Sequence, residues 1–521
     1  MAHLVKALRD NIVPSWPILQ GLVAVSALSG IIYLIALNFS SRKKLPPGPT
    51  GLPILGNLLQ TLKARQKGPA GFGFYLGDLN RFGEMATLRM GAKNWVMLNS
   101  DRVIKEIIVN RNKITNERSF QPIASGVVSR WKRTLLRPVP DWVEGRKAMH
   151  HLLNGTSVKT YGTWQEQESA LLLGAYLDDP SKWYAHHYRY TVAIAFRVVL
   201  GATLDRSTAD LEDFRRMTTE FVIAIGGSAY DYFPILTKLP RWMQVGRKFW
   251  EDMGEWHYQV LRKWWVPFME SVNNNSAPSS WTRDFLVNQS PPYMGGVEDE
   301  AMYLALSIVS AGSDNTRMVL NTWVMSAIAY PETFLRTREA VEKVVGKSPT
   351  RLPDLADLKD ASYVCAVIKE LLRWRPPVPV VPPHLLTEDL EFEGFYFPAG
   401  TEMVINPYGV GRRGLKDGED FVPERWMNSK ETNILDGIWD MGGGRRVCVG
   451  YVITQQELFL AIARISLCFD ITPTGPFDMY ELRHDVRSEP FPVKMTVRSK
   501  LHEDLIRNEK KQVVDEIGTG W

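Results

Sequence analysis

Cysteine is scarce in this sequence. Only Cys365, Cys448 and Cys468 occur in 521 residues, and no two of them form a Cys-x-x-Cys pair. This scarcity excludes a disulfide framework and a structural zinc site, and it is typical of a protein kept in a reducing compartment. A single cysteine can still serve as a metal ligand.

A large excess of either charge is also missing. Lys and Arg number 62 and Asp and Glu number 57, which leaves a formal net charge of +5. So small an imbalance gives no electrostatic reason to expect a nucleic-acid partner. The hydrophobic content of 45% lets a chain of this length bury a substantial core, and a single large domain is compatible with it.

One long uncharged run is present near the N-terminus, at residues 18–39. As a helix of 22 residues it would span about 33 Å, which exceeds the roughly 30 Å of a bilayer core. The basic stretch 42–44 follows it, so the positive-inside rule predicts a short N-terminal segment at 1–17 on the far side and the remaining chain in the cytosol. The run is too long for a cleaved signal peptide and predicts a retained anchor.

A basic and proline-rich segment at residues 40–50 follows the anchor and contains Leu45-Pro-Pro-Gly-Pro49. Stacked prolines give a stiff, extended chain that joins neither a helix nor a sheet. The segment predicts a hinge, although an ordinary proline-rich linker has the same composition.

The most informative stretch is Met441-Gly-Gly-Gly-Arg-Arg-Val-Cys-Val-Gly450. The apolar spacing of the next residues, 451–464, predicts a helix that starts near Cys448, where exposed amides and a nearby Arg would stabilise a thiolate. The glycines permit a tight turn and a close approach to a bulky ligand. No Gly-Lys-Ser/Thr follows them, which excludes a phosphate loop, whereas a buried, inert cysteine remains an alternative.

A long helix is predicted from Glu298 to Tyr330, ended by Pro331, with Ala311-Gly-Ser-Asp-Asn-Thr316 in its middle. Glycine inside a helix costs about 1 kcal/mol relative to alanine, so Gly312 needs a packing or functional reason. A helix cap or a surface acid would be the ordinary explanation for this stretch.

Two further pairs have helical spacing. Trp142 and Arg146 are four residues apart, and Glu370 and Arg373 are three apart, so each pair lies on one helix face. Such pairs are usually surface contacts of little energetic value. Arg425, in Phe421-Val-Pro-Glu-Arg-Trp426, could complete a buried network with the second pair, which is stable only if all its charges are matched.

Five motifs follow one another along the chain: the hinge, the Trp142–Arg146 pair, the Ala311–Thr316 stretch, the Glu370–Arg373 pair with Arg425, and the cysteine stretch. In this order they resemble the motifs of the haem-thiolate monooxygenases, the cytochrome P-450 superfamily, over about residues 45–498. The cysteine stretch is similar to the family signature Phe-x-x-Gly-x-Arg-x-Cys-x-Gly, with Met441 in place of the aromatic residue. The resemblance implies the following roles: Cys448 as the iron ligand within a loop that includes Gly444 and Gly450; Trp142, Arg146, His384 and Arg446 at the haem propionates; Ala311 and Gly312 in the dioxygen groove; Asp314, Asn315 and Thr316 in proton delivery; and Glu370, Arg373 and Arg425 as a structural network.

The resemblance also implies a fold that is mainly α with small β-sheets (α+β). It predicts one catalytic domain at 51–498 behind the anchor, with a charged C-terminal tail at 499–521 and a location in the endoplasmic reticulum membrane. The implied activity is insertion of one oxygen atom into a lipophilic small molecule, in fungal secondary metabolism. No flavin or nicotinamide fingerprint occurs, so electrons are expected from NADPH through a separate membrane-bound reductase.

One departure from the family pattern leaves the reaction open. Asn315 stands where the family usually has a proton-delivering threonine, and Thr316 follows one residue later. Family members without that threonine include reductase-independent isomerases and dehydratases that act on peroxides, which is the alternative activity. A haem-binding sensor or carrier is a third.

The remaining chain is predicted in outline. Residues 80–110 suggest a small antiparallel sheet, 114–140 a long loop, and 163–265 mainly helix with a loop at 231–240. The aromatic segment 241–265 suits either a membrane interface or an amphipathic core helix. The expected pocket walls are the central helix and residues 120–131, 221–233 and 378–381, which are largely apolar.

Overall fold

The computed structural model describes residues 45–290, 293–427, 432–480 and 491–518. The predicted anchor at 18–39 lies outside them. Within the described ranges, no helix is both long enough and apolar enough to cross a bilayer.

Helices account for most of the described chain. In chain order they are α1 (Leu58–Gln66), α2 (Gly68–Asp78), α3 (Asp101–Ile104), α4 (Asn112–Thr115), α5 (Asp141–Leu153), α6 (Gly155–Thr160), α7 (Gly162–Asp178), α8 (Trp183–Leu200), α9 (Thr208–Ala224), α10 (Ala229–Tyr232), α11 (Arg247–Asn273), α12 (Glu298–Ala329), α13 (Pro331–Val345), α14 (Ser362–Trp374), α15 (Pro407–Val410), α16 (Tyr451–Cys468) and α17 (Lys500–Ile517).

The strands are short and form three small sheets. They are β1 (Met85–Met90), β2 (Lys93–Leu98), β3 (Glu117–Arg118), β4 (His384–Leu385), β5 (Leu390–Phe392), β6 (Phe395–Phe397), β7 (Glu402–Ile405), β8 (Phe469–Pro473) and β9 (Val493–Val497). The largest sheet has the order β1-β2-β7-β4-β3, with β2 and β7 parallel and its other pairs antiparallel. The predicted α+β class is confirmed.

The sheet predicted at residues 80–110 is only partly correct. Strands β1 and β2 form the expected antiparallel hairpin, with Met85 opposite Leu98. The chain then turns helical in α3, because the Ser100 hydroxyl accepts a hydrogen bond from the Val103 amide and caps the helix. The loop predicted at 114–140 likewise contains β3 and a helical turn at Pro122–Val128.

Helix α12 is the predicted central helix, and it runs through the main hydrophobic core. Its side chains Leu306 and Trp323 are fully buried, and α8 packs along its length. The Thr191 hydroxyl of α8 donates to the Ser313 carbonyl of α12 at 2.9 Å. Helix α16, which follows the cysteine loop, is buried against α7 and α12, so the loop is attached directly to the core.

The described end of the predicted hinge packs on the sheet. The Thr87 amide of β1 donates to the Pro47 carbonyl at 3.0 Å. A Cβ at Gly48 would lie 1.9 Å from the Thr87 carbonyl oxygen, so only glycine allows this approach. The proline-rich segment is therefore seated against β1 where it enters the domain.

Only part of the aromatic segment 241–265 lies in the core. Trp264 and Trp265 of α11 are buried in the core, whereas Trp242 and Phe249 are exposed. The exposed side chains lie in and before the first turn of α11, so only the later part of the segment behaves as a core helix.

The predicted charged tail forms helix α17. Its Ile506 and Val513 are buried, and Lys510 pairs with Asp178 at the end of α7. Apolar residues on one face of this charged helix explain why it packs along α7.

Candidate active site

The cysteine loop is a compact turn whose glycines are required by geometry. The Cys448 amide donates to the Met441 carbonyl at 2.9 Å and closes the turn. Gly442 and Gly444 have φ angles of +76° and +60°, which favour glycine. A Cβ at Gly444 would also lie 2.6 Å from the Ile108 carbonyl oxygen. The loop therefore lies directly against the helical turn after α3.

The position of Cys448 relative to the following helix differs from the predicted one. Helix α16 begins at Tyr451, three residues after the cysteine, so the thiol is not in its first turn. The side chain is exposed to solvent, yet burial by surrounding atoms raises its pKa, with the Gly450 amide and Arg146 acting in the opposite direction. Both properties fit a thiol in a deep cleft. Desolvation thus opposes the thiolate, whereas the Gly450 amide and Arg146 favour it, and a bound metal would displace the proton.

One face of α12 is open although the helix runs through the core. Its exposed and half-buried residues recur at helical spacing, while the other residues from Ala301 to Leu320 are buried. They are Ser307, Ile308, Ala311, Gly312, Asn315 and Met318. We call this set the cavity face, since an open stripe on a core helix indicates an internal cavity.

The three predicted proton-delivery residues do not share this face. Asn315 belongs to it, and its amide makes no hydrogen bond with the described part of the chain. Asp314 is buried and paired with Arg317, with Nη2 to Oδ1 at 2.6 Å. Thr316 is buried, and its hydroxyl donates to the Gly312 carbonyl at 2.9 Å. Their role in proton delivery remains a prediction, and Asn315 is the member that faces the cavity.

Gly312 also contacts α8. A Cβ at this position would lie 3.4 Å from the Ala195 Cβ, which is an ordinary van der Waals contact. Packing of α12 on α8 therefore does not by itself require glycine here.

Arg446 and Trp142 come together as the resemblance predicts. The Arg446 guanidinium lies 4.2 Å from the centre of the Trp142 ring, and its Nε and Nη2 donate to the Asn116 and Arg137 carbonyls at 3.0 Å. Nη1 is buried and has no partner in the described ranges. Burial, and then the nearby Arg118, lower the pKa of Arg446 to about 8. This cation therefore lacks an anion.

Two more arginines at this site were missed in the sequence. Arg118 donates from Nη1 to the Pro382 carbonyl at 2.6 Å, and burial lowers its pKa to about 10. Arg137 has a buried Nη1 without a described partner. The available signal was the recurrence of arginine within the otherwise apolar segment 114–140.

His384 is close to these arginines but is not a cation. Its Nδ1 donates to the Thr115 carbonyl at 2.8 Å, and burial, together with Arg118, places its pKa well below the usual value. A neutral ring with the proton on Nδ1 presents an acceptor at Nε2. His384 could therefore bind a carboxylate only after gaining a second proton.

Arg146 lies on the cysteine side of the site. Its Nε donates to His150 Nε2 at 3.2 Å, and its charge is near enough to Cys448 to lower the pKa of that thiol. Trp142 and Arg146 thus lie on the same helix, α5. Trp142 contacts Arg446 in the expected propionate region, and Arg146 lies near the Cys448 thiol.

The predicted structural network is present. Glu370 is fully buried and accepts two hydrogen bonds from Arg373 at 2.8 Å and one from Arg425 at 3.1 Å. The Trp426 indole and the Val422 amide also donate to it, each at 2.8 Å. Every side-chain oxygen of the carboxylate is therefore satisfied, as a buried charge requires.

Comparison with known families identifies the family to which the chain with these features belongs. The family model described as Cytochrome P450 matches residues 46–494. The chain belongs to the cytochrome P450 family. Members of this family hold haem through a cysteine thiolate and receive electrons from a redox partner.

Fungal P450s are similar to this chain over almost their full lengths. Cytochrome P450 monooxygenase aneD of Aspergillus aculeatus is 28% identical over 522 residues, covering 95% of this chain and 97% of its own. Cytochrome P450 monooxygenase ARMGADRAFT_1018418 of Armillaria gallica is 29% identical and covers 91% and 94%. The cytochrome P450 monooxygenase virE of Hypocrea virens is 25% identical and covers 93% and 91%.

Solved P450 structures share the fold. A zebra fish cytochrome P450 with progesterone aligns with a TM-score of 0.67 at 19% identity, covering 82% of this chain and 99% of its own. A zebra fish cytochrome P450 with abiraterone aligns with a TM-score of 0.64 at 18% identity, covering 82% of this chain and 100% of its own. At this identity the likeness establishes the fold alone.

The residues of the site suit a haem. The thiol of Cys448 is exposed, and Arg446 and Arg137 each keep a buried nitrogen atom that meets no acceptor in the described part of the chain. The two carboxylates of a haem are acceptors of the kind that these donors lack. An anionic, iron-binding group therefore satisfies both halves of the site.

Proposed function

We propose that this P450 inserts one atom of dioxygen into a lipophilic small molecule, using haem held by Cys448. The observation that carries the proposal is the contrast among its cysteines. Cys365 and Cys468 are buried in the core, and burial raises the pKa of their thiols to about 11 and about 12. Cys448 alone of the three is exposed and lies in the family's ligand position.

Bound haem iron supplies the activation of dioxygen, and the chain supplies position and protons. Arg446, Arg137 and Trp142 would hold the carboxylates of the group. Asn315 would hold a water on the cavity face, because an amide both donates and accepts hydrogen bonds. The largely apolar residues of the expected pocket walls would exclude bulk water.

The ligand assignment is tested by the carbon-monoxide difference spectrum of the reduced protein. The unmodified chain should give the band typical of thiolate-ligated haem, and Cys448→Ser should abolish it. Cys468→Ser is the matched control and should retain the band. A spectrum of imidazole-ligated haem in the unmodified chain would contradict the assignment.

We propose that the electrons come from NADPH through a separate membrane-bound reductase. Arg446 of the cysteine loop is buried, so the basic residues available to a partner are Arg445 of that loop and Lys147 of α5, which are both exposed. Arg445 borders a groove lined in part by Val109, Trp439 and glycines 442–444, directly behind the cysteine loop. Product that requires both reductase and dioxygen would support the monooxygenase. Turnover of a lipid hydroperoxide without an electron donor would instead support the isomerase alternative.

We propose a substrate from fungal secondary metabolism, such as a terpenoid, a polyketide, an indole alkaloid or an aromatic acid. The similarity to fungal monooxygenases and the apolar pocket segments favour this class. Spin-state titrations of the holoenzyme against a panel of these compounds test it. A panel without any responding compound would contradict the class.

We also propose that the chain is anchored in the endoplasmic reticulum membrane with its catalytic domain in the cytosol. The uncharged run at 18–39 and the basic residues after it support this location. Fractionation of cells that produce the full chain tests it, with protease protection as the readout of topology. Recovery in the soluble fraction would contradict the anchor.

A further inference from the structure

The guanidinium of Arg133 is buried without a charge partner. Arg133 lies between β3 and α5 and is 3% exposed. Its Nε and Nη2 are buried, and neither meets a hydrogen-bond acceptor in the described chain. A charge in this state is costly to bury, so its presence requires an explanation.

Neighbouring arginines of the same segment do have carboxylate partners. Arg130 pairs with Glu255 at 2.6 Å, and Arg137 pairs with Glu300. Glu300 also binds Lys132 at 3.1 Å, so two cations already share it. Arg133 therefore differs from Arg130, Lys132 and Arg137, because it has no carboxylate partner in the described chain.

The contacts of Arg133 offset its charge only in part. The guanidinium carbon lies 4.1 Å from the centre of the Phe221 ring of α9, a cation–π contact that satisfies no N–H group. Burial lowers the pKa of Arg133 to about 10, with Tyr303 acting against the shift. The side chain is therefore still charged at neutral pH.

Two more hydrogen-bonding groups lie unsatisfied along α12. The Tyr303 hydroxyl and the Ser307 hydroxyl are buried and have no partner in the described ranges. These residues are four apart and share a helix face. Ser307 belongs to the cavity face, and Ala311 follows it by one turn. The two hydroxyls thus lie along α12 at one end of the cavity face, and Tyr303 is near enough to Arg133 to influence its pKa.

We propose that Arg133, Tyr303 and Ser307 form a subsite for a carboxylate of the substrate, an inference that rests on the proposed monooxygenase function. A guanidinium can bind both oxygens of a carboxylate, and two hydroxyls can donate to its remaining lone pairs. The substrate class is therefore a lipophilic carboxylic acid.

The position of the subsite predicts which carbon is oxidised. Tyr303 and Ala311 are eight residues apart on α12, which corresponds to about 12 Å along the helix. The acid group would be fixed at one end of the cavity face, with the reacting C–H bond near Ala311. Oxidation should occur far from the carboxylate and not beside it.

Matched acids and esters test the subsite. Dodecanoic acid, abietic acid and their methyl esters would be titrated into the holoenzyme, with calorimetry and the haem spin state as readouts. We expect each acid to bind about 10-fold or more tightly than its ester. Arg133→Met should remove this preference by weakening the acids, with ester affinities unchanged within about twofold. Arg133→Lys should retain part of it.

Control variants keep the test decisive. Arg130→Met removes a half-buried arginine of the same segment that already pairs with Glu255, and it should leave the acid preference intact. Tyr303→Phe should weaken the acids about threefold and should not affect the esters, even if Arg133→Met proves difficult to fold. The proposed subsite is contradicted if neither acid binds more tightly than its methyl ester. It is also contradicted if Arg133→Met still prefers the acids to the esters. The carbon-monoxide band and reductase-dependent turnover would then still stand, so the two proposals fail separately.

Discussion

At the scale of single residues, Asn315 is the side chain whose position most affects the expected chemistry. It occupies the place of the usual threonine and lies on the cavity face, whereas Asp314 is paired with Arg317. A residue that lies one position further along a helix is rotated by about 100°, which explains why Thr316 is not a replacement. Thr316 is instead bonded to the Gly312 carbonyl.

We predict that Asn315→Ala lowers the product formed per NADPH consumed and raises peroxide release, because the cavity face loses the amide that orders water. Asn315→Thr should retain coupling, since a hydroxyl also donates and accepts. The measurement is the ratio of product to NADPH in the reconstituted system. The carbon-monoxide band should be unchanged in both variants.

Thr316→Val is the matched control at the next position and should leave coupling intact. If Thr316→Val or Asp314→Asn uncouples the enzyme while Asn315→Ala does not, the proton path runs along another face of α12.

At the scale of elements, Glu370 joins α14 to the chain that precedes the cysteine loop. Arg373 extends this connection by donating to the carbonyls of Gly411, Gly418 and Asp420. Arg425 also pairs with Asp417 at 3.1 Å. These long-range bonds position the segment 411–426 against α14.

We predict that Glu370→Gln destabilises the protein by about 3–5 kcal/mol, because the buried guanidinium of Arg373 loses its charge partner and the half-buried Arg425 loses one of its two. The measurement is the free energy of unfolding of the holoenzyme, followed by far-ultraviolet circular dichroism. Asp252→Asn is the control, since its pair with Lys248 is exposed and should be worth less than about 1 kcal/mol. Equal effects of the two substitutions would contradict the role of the network.

A second connection between elements uses Asp231. This residue of α10 is buried, and its Oδ1 accepts from the Ile123 amide at 3.1 Å, near the start of the helical turn Pro122–Val128. The other oxygen is buried without a described partner. Burial raises the pKa of Asp231 to about 7, and the positive charge of Lys93 opposes the shift.

The raised pKa of Asp231 predicts a pH dependence of stability. Between the unfolded value of 3.8 and about 7 the folded state holds more protons, so the free energy of unfolding should fall as pH rises through this window. Asp231→Asn should reduce that slope and stabilise the protein above pH 7, by at most about 4 kcal/mol. Urea titrations at several pH values measure it.

Asp440 limits how much of the pH dependence of stability is lost in Asp231→Asn. Burial also raises the pKa of Asp440 to about 7, so some pH dependence should persist in Asp231→Asn. Asp252→Asn, at an exposed position, should leave the slope unaltered. A slope in Asp231→Asn equal to that of the unmodified protein would show that Asp231 does not titrate as proposed.

At the scale of the whole molecule, an apolar surface lies near the seated hinge. Its members Ile235, Trp242, Val245 and Phe249 are exposed, Trp242 by 85% and Val245 by 88%. The Ala92 amide of the β1–β2 turn donates to the Tyr232 carbonyl, and the Pro47 carbonyl bonds to β1. The apolar surface and the hinge are thus both attached to one hairpin.

We predict that this surface enters the lipid when the full chain is placed in phospholipid nanodiscs. A fluorophore on Val245→Cys should shift to the blue and be quenched by spin-labelled lipid, because Val245 meets the acyl region. The same fluorophore on Leu501→Cys, at the exposed start of α17, is the control and should show neither change. Equal responses at both positions would contradict the orientation.

Several features were predictable from short stretches of sequence because local backbone chemistry determines them. The glycines around Met441–Gly450 predicted a turn that needs positive φ angles, and the uninterrupted spacing before Pro331 predicted α12. The Glu370–Arg373 spacing placed both charges on one face of α14. In each case the residues that carry the signal are within about one or two helical turns of one another.

Burial and charge environment were decided by the tertiary structure. Arg446 bonds to Asn116, 330 residues away, and His384 bonds to Thr115, 269 residues away. Burial in the folded chain also raises the pKa of Cys448 and leaves two nitrogen atoms of Arg133 without a described partner. Desolvation and Coulomb interactions depend on distance in space, so a linear sequence predicts which groups carry charge, and only the folded chain determines which of those charges are satisfied.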